Sequence, residues 1–118
     1  MSSRMRVTAG RVVLGVFGAT VLTSGLALAG QDAKRGEAVY AEQKCSLCHS
    51  IAGKGNAKGS LDGVASKLSA AEIKEWITNP KEMTAKTKAE RKPPMKAYPN
   101  LPAADVDALV AYLQTLKK

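Results

Sequence analysis

The sequence predicts an all-α fold, on three observations. Between Pro102 and Leu116 the apolar residues Val106, Leu109, Val110, Leu113 and Leu116 recur at the i, i+3, i+4, i+7 spacing of one helix face. Ser69-Ala70-Ala71-Glu72 is a capping box, and Ile73, Trp76 and Ile77 behind it share a second helix face. Nothing along the chain resembles a paired set of strands.

The elements follow in order. Residues 1–29 read as a secretory signal peptide. Arg4, Arg6 and Arg11 form a positive start without acidic residues, Val12 to Leu28 is apolar or small throughout, and Ala27-Leu28-Ala29 is an A-x-A cleavage site. Cleavage after Ala29 is the expectation. The alternative is an uncleaved anchor, since the apolar run nearly spans a bilayer. Asp32 to Lys44 is the first helix of the domain, with Asp32 as N-cap and Val39 and Tyr40 among its apolar residues. Ile51 to Lys67 contains Gly53, Gly55, Gly59 and Gly63 and reads as loop. The helix opened by Ser69 ends at Asn79-Pro80, which starts another short helix with Asn79 as cap and Pro80 at its first position. Pro93, Pro94 and Pro99 impose an extended loop. The last helix runs from about Pro102 to Leu116.

Residues 30–118 therefore form a single small domain with a thin core, of a size that ordinarily needs a staple. The chain has one Trp and one Phe, the latter inside the leader, so it lacks large core fillers of its own. Its formal net charge is +8, and the leader's three arginines account for part of it. Much of the remaining surplus lies between Lys81 and Lys96, where Lys81, Lys86, Lys88, Arg91, Lys92 and Lys96 face only Glu82 and Glu90. Charge so localised suits an acidic partner protein; its plain alternative is a solvated basic loop. Nucleic acid is disfavoured for an exported chain whose basic run has no stacking aromatics.

The chemistry concentrates in Cys45-Ser46-Leu47-Cys48-His49, which holds both cysteines and the sole histidine. Cys-x-x-Cys-His is the attachment signature of c-type haem. Two thiols add across the two vinyl groups of one haem, and the following imidazole comes to lie under the iron as an axial ligand. One covalent haem per chain would be the missing staple. Helical backbone here would put Cys45, Cys48 and His49 on one side of a turn. The rival readings are weaker. A zinc site wants four ligands where only three Cys and His residues exist. A thiol–disulfide redox pair expects a βαβ context. A structural disulfide leaves His49 beside Cys48 by accident. Export also requires that both thiols stay reduced until haem arrives.

With a single histidine, bis-histidine ligation within one chain is excluded, and methionine is the natural second ligand. Met1 and Met5 belong to the leader. Met83 sits in a helix near Trp76 and Ile77 and reads as core. Met95 follows Pro93-Pro94 and precedes Tyr98-Pro99, in a stiffened loop suited to holding a sulfur against iron. Met95 is the preferred ligand. Met83, a lysine, water or an open position are the alternatives, and gap-filling is the plain reading of Met95.

Taken together, Gly30 to Lys118 resembles a small monohaem class I c-type cytochrome. The resemblance implies a cytochrome c-like fold with crossing N- and C-terminal helices, one or two short middle helices, and the haem as core. It implies that Gly36 and Tyr40 pack on Leu109 and Tyr112, close approach needing a residue without a side chain. Pro93-Pro94-Met95 matches the family's methionine loop. Lys58-Gly59-Ser60-Leu61-Asp62-Gly63 matches a loop in which a proline commonly stands where Gly59 does, its carbonyl accepting the histidine's other N–H. Pro102 replaces the usual Ser or Thr cap. Trp76 is either a donor to a haem propionate or amphipathic core.

The resemblance further implies electron transfer rather than enzymatic chemistry: with His49 and Met95 on the iron, no substrate reaches it. The expectation is a soluble, monomeric periplasmic one-electron carrier that meets acidic redox partners. The alternatives are a membrane-anchored cytochrome subunit of a respiratory complex and a haem enzyme or sensor with an open axial site.

Overall fold

The computed structural model describes residues 25–118 and, before them, Gly15. The leader expected over 1–29 therefore lies largely outside the described residues. Helix α1 covers Gly25–Glu42. The helix passes straight through Asp32, so Asp32 is not its N-cap. The reason is local: Leu26, Ala27, Leu28 and Ala29 are strong helix formers, and in the uncleaved chain they extend the helix backwards. Among the described residues no helix is long and apolar enough to cross a membrane.

After α1 the chain makes a 3-10 turn over Cys45–Leu47. The segment expected to be loop carries more order. A two-residue antiparallel pair joins β1 (Ser50–Ile51) to β2 (Lys54–Gly55), with Ser50 opposite Gly55. A second 3-10 turn spans Ala57–Gly59, and helix α2 spans Val64–Lys67. Elements this short carry no periodic signal, which is why the glycines dominate the sequence reading there.

Helix α3 (Ala70–Thr78) begins as its sequence says, with Ser69 accepting from Glu72 N–H and Glu72 returning the bond. Helix α4 (Pro80–Thr87) starts on proline, while Asn79 makes no side-chain cap. The Asn79 amide instead donates to the Glu82 carboxylate. The last helix, α5 (Ala103–Gln114), is slightly shorter than its apolar pattern. Without a side-chain cap, the Pro102 carbonyl accepts from both Asp105 and Val106. The middle of the chain thus holds three helices rather than one or two.

The core is aliphatic: Val39 from α1, Ile73 and Ile77 from α3, and Val106, Leu109, Val110 and Leu113 from α5. Each such burial contributes roughly 1.5–3 kcal/mol. The most extensive packing is α1 across α5. At the crossing, a Cβ on Gly36 would strike the Ala108 carbonyl and stand 2.6 Å from Tyr112 Cβ. Only glycine lets the backbones approach this closely. Tyr40 and Tyr112 stack edge to face beside it, with centroids 6.0 Å apart. Gly36, Tyr40, Leu109 and Tyr112 thus form the crossing as expected. Outside, the Arg35 guanidinium forks onto Asp105 at 2.9 Å and reaches Glu42 at 3.0 Å.

Candidate functional site

The polypeptide folds around an apolar cavity of about 760 Å³, within the roughly 300–1,000 Å³ typical of cofactor sites. Helices α3 and α5 supply one wall with Ile73, Trp76, Ile77, Leu109 and Leu113. The segment after α4 supplies another with Arg91, Pro93, Pro94, Met95 and Tyr98. Cys45, Cys48 and His49 line the same space. All four site residues expected from sequence, Cys45, Cys48, His49 and Met95, therefore face one cavity. Met83 does not join them: it is buried at 3% exposure and does not line the cavity. Trp76 lines the cavity and stands outside the aliphatic cluster, so it is not core.

The turn holding the thiols is a folded unit. His49 N–H donates to the Cys45 carbonyl at 2.9 Å and Cys48 N–H to the same oxygen at 3.1 Å. This winds the motif as expected. Lys44, in a left-handed conformation at φ 55°, breaks α1 from the turn. Asn56 then clamps the turn from outside. Its backbone N–H lies 2.9 Å from the His49 carbonyl and 3.1 Å from that of Ser46, and its side-chain amide donates to the Leu47 carbonyl at 3.2 Å. Gly55 leads into this clamp at φ 108°, a conformation suited to glycine.

His49 Nδ1 lies 3.0 Å from the Gly59 carbonyl. A carbonyl can only accept, so Nδ1 carries the proton and Nε2 keeps its lone pair. Burial holds the imidazole below its ordinary pKa against the opposing Gly59 bond, and the Arg91 charge pushes the same way. Burial and the Arg91 charge thus favour the neutral ring, the form that ligates a metal. Burial pushes the Cys45 thiol up, opposed by the neighbouring Tyr98 hydroxyl and the Lys96 charge. Cys45 and Cys48 are not joined to each other in a disulfide. The buried Tyr40 hydroxyl, on a residue that lines the cavity, has no partner among the described residues.

Three participants escaped the sequence reading. Asn56 carries no motif signal. Tyr98 was only a marker of the proline loop. Arg91 counted among the surface bases, yet its guanidinium donates to the Cys48 carbonyl and lines the cavity.

These features fit haem: a roomy apolar cavity for the macrocycle, two cysteines three residues apart on its wall, and an imidazole whose Nδ1 is held by the Gly59 carbonyl so that Nε2 is the ligating nitrogen. Among the described residues no cluster of three or more His, Cys, Asp or Glu could hold a bare metal ion. The class defined by this fold and site is a haem-based electron-transfer domain. The family model described as Cytochrome c matches residues 33–117, and the chain belongs to the cytochrome c family. It is also similar to cytochrome c oxidase subunit 2 of Alkalihalophilus pseudofirmus, at 30% identity over 94 residues. That match covers 72% of this chain and 26% of the relative, so the chain spans about a quarter of that protein's length. No solved structure matches the chain.

Proposed function

We propose that the chain is a periplasmic one-electron carrier with one haem attached through Cys45 and Cys48 and held axially by His49 and Met95. The observation that carries this reading is the convergence of those four side chains on one apolar cavity. Bound haem supplies the Fe(II)/Fe(III) couple. The chain does the rest. The Gly59 carbonyl orients the His49 ring and fixes its tautomer, as outer hydrogen bonds to ligating histidines do. Helices α3 and α5 exclude water with aliphatic side chains. The Pro93-Pro94 step stiffens the segment that presents the Met95 sulfur. Lys81, Lys86, Lys88, Lys92 and Lys96 offer a basic surface for brief, salt-sensitive encounters with an acidic partner.

The deciding experiment is an absorption spectrum of protein made with a haem-attachment pathway, before and after acid–acetone extraction. Haem that stays with the polypeptide and a far-red iron–methionine band are expected. A colourless protein, or haem that washes out, overturns the reading.

A second reading has its own support. Helix α1 continues without a break across the expected cleavage point at Ala29, and the similar protein is named as an oxidase subunit. In that reading residues 1–29 are retained as an anchor and the domain serves a membrane complex. N-terminal sequencing of the exported protein separates the two: a start at Gly30 supports the free carrier, an intact leader the anchored subunit.

A further inference from the structure

We infer that Arg91 is a positioning residue that ties the Met95 segment to the His49 turn and raises the reduction potential of the bound haem. The inference rests on the proposed haem attachment and goes beyond it, since Arg91 belongs neither to the attachment motif nor to the ligand pair.

Three observations carry it. First, Arg91 Nη2 donates to the Cys48 carbonyl, across 43 residues of chain. The Cys48 peptide leads directly into His49, and Arg91 stands four residues before Met95. One side chain therefore joins the two segments that carry the proposed ligands. Second, the seat for the guanidinium depends on Gly59. A Cβ there would strike Arg91 Nη1 and lie 2.9 Å from its Cζ. Gly59 is also the residue whose carbonyl receives His49 Nδ1. The guanidinium thus rests on the same peptide that orients the imidazole. Third, of the basic stretch only Arg91 and Lys96 line the cavity, and of these two Arg91 is the one bonded to the turn that carries His49.

A guanidinium is charged at every accessible pH and offers its donors in a planar fork. Reduction of ferric haem takes one electron and no proton, with a reduced mediator or partner as the source. The oxidised state carries one more positive charge than the reduced one. A fixed cation beside the axial histidine therefore disfavours the oxidised state and raises the potential. Arg91 is exposed on its outer side, which screens this effect and makes it sensitive to salt.

The test is spectroelectrochemical titration of the full-length haem-loaded protein, as wild type, Arg91→Gln, Arg91→Lys and Lys34→Gln. Lys34→Gln removes the same charge from an exposed position on α1 and controls for net charge. Covalent haem content and the far-red band are recorded for each. Arg91→Gln is expected to cut the reduced-to-oxidised ratio at fixed applied potential by about threefold to tenfold, tenfold being ~59 mV for one electron. The difference from wild type should shrink as salt is raised. Arg91→Lys, which keeps the charge, should retain at least half of the shift in potential, and Lys34→Gln should match wild type. Haem-loaded Arg91→Gln with an unchanged potential overturns the inference alone, as does an equal shift in Lys34→Gln. A haem-free wild type overturns the proposed function and this inference with it. Should Arg91→Gln fail to accumulate, Arg91→Lys decides: a reduced-to-oxidised ratio cut tenfold although the charge is kept contradicts a role for the charge.

Discussion

The His49 imidazole is tied through Nδ1 to the Gly59 carbonyl at 3.0 Å, ten residues along the chain. That contact links the attachment turn to the 3-10 turn at Ala57–Gly59. A Cβ at position 59 meets both the Arg91 guanidinium and the Cys48 carbonyl. The arginine side chain can move, but the backbone oxygen cannot. Gly59→Ala is therefore expected to cost about 1–3 kcal/mol by overpacking and to loosen the His49 bond. Thermal melting reads the first effect, and solvent exchange of the His49 ring N–H by NMR reads the second. An unchanged melting temperature with unchanged exchange contradicts the account.

The two methionines of the domain should respond differently. Met83 is packed at 3% exposure, away from the cavity. Met83→Ala is expected to lose about 2–5 kcal/mol, which for a domain of this size lowers the melting temperature by about 10 °C or more. The haem spectrum should stay as it is. Met95 is only partly buried and lines the cavity. Met95→Ala should abolish the far-red band and lower the potential, at smaller cost to the fold. A far-red band that survives Met95→Ala and vanishes in Met83→Ala would reverse the ligand assignment.

The α1–α5 crossing depends on Gly36. Gly36→Val places a branched side chain against the Ala108 carbonyl and Tyr112 Cβ, pushing the helices apart. The expected loss is about 1–3 kcal/mol, or roughly 4–8 °C of melting temperature per kcal/mol. Trimming Tyr112 to alanine in the same chain should not restore stability, because the nearest obstacle is backbone. Recovery in the double variant would show that the tyrosine alone sets the spacing.

Acid should open the other side of that crossing. The Arg35 guanidinium holds the Asp105 carboxyl below the usual carboxylate range. A carboxyl depressed in the folded state stabilises the fold at pH above its unfolded value, and that contribution fades as pH falls through the folded value. The wild-type melting temperature should therefore fall more steeply below about pH 4 than that of Asp105→Asn. Parallel curves for the two proteins would exclude the fork as a source of acid sensitivity. The effect should also be modest and screened by salt, since the pair lies at the surface.

Much of the site is legible in the chain because it is local. Cys45, Cys48 and His49 are consecutive in one turn, so their spacing alone fixes their common face. Helices α3 and α5 announce themselves by caps and apolar period. Gly36 and Tyr40 follow from family resemblance, and the structure puts them against α5. Helix α1 begins before Asp32, because the good helix formers upstream override that residue's cap signal. The β1–β2 pair and α2 are too short to have a period at all.

The sequence by itself therefore determined the class of this protein: an all-α domain with a haem-attachment turn and a methionine behind two prolines. The tertiary structure decided what surrounds that turn. It placed Trp76 at the cavity rather than in the core, set Asn56 as a clamp on three carbonyls, and brought the Arg91 guanidinium onto the Cys48 carbonyl, while Lys81, Lys86, Lys88 and Lys92 stay away from the cavity. The physical reason is range. Covalent neighbours and helical periods are written into consecutive residues, whereas a guanidinium finds its acceptor across 43 residues only once the backbone has folded.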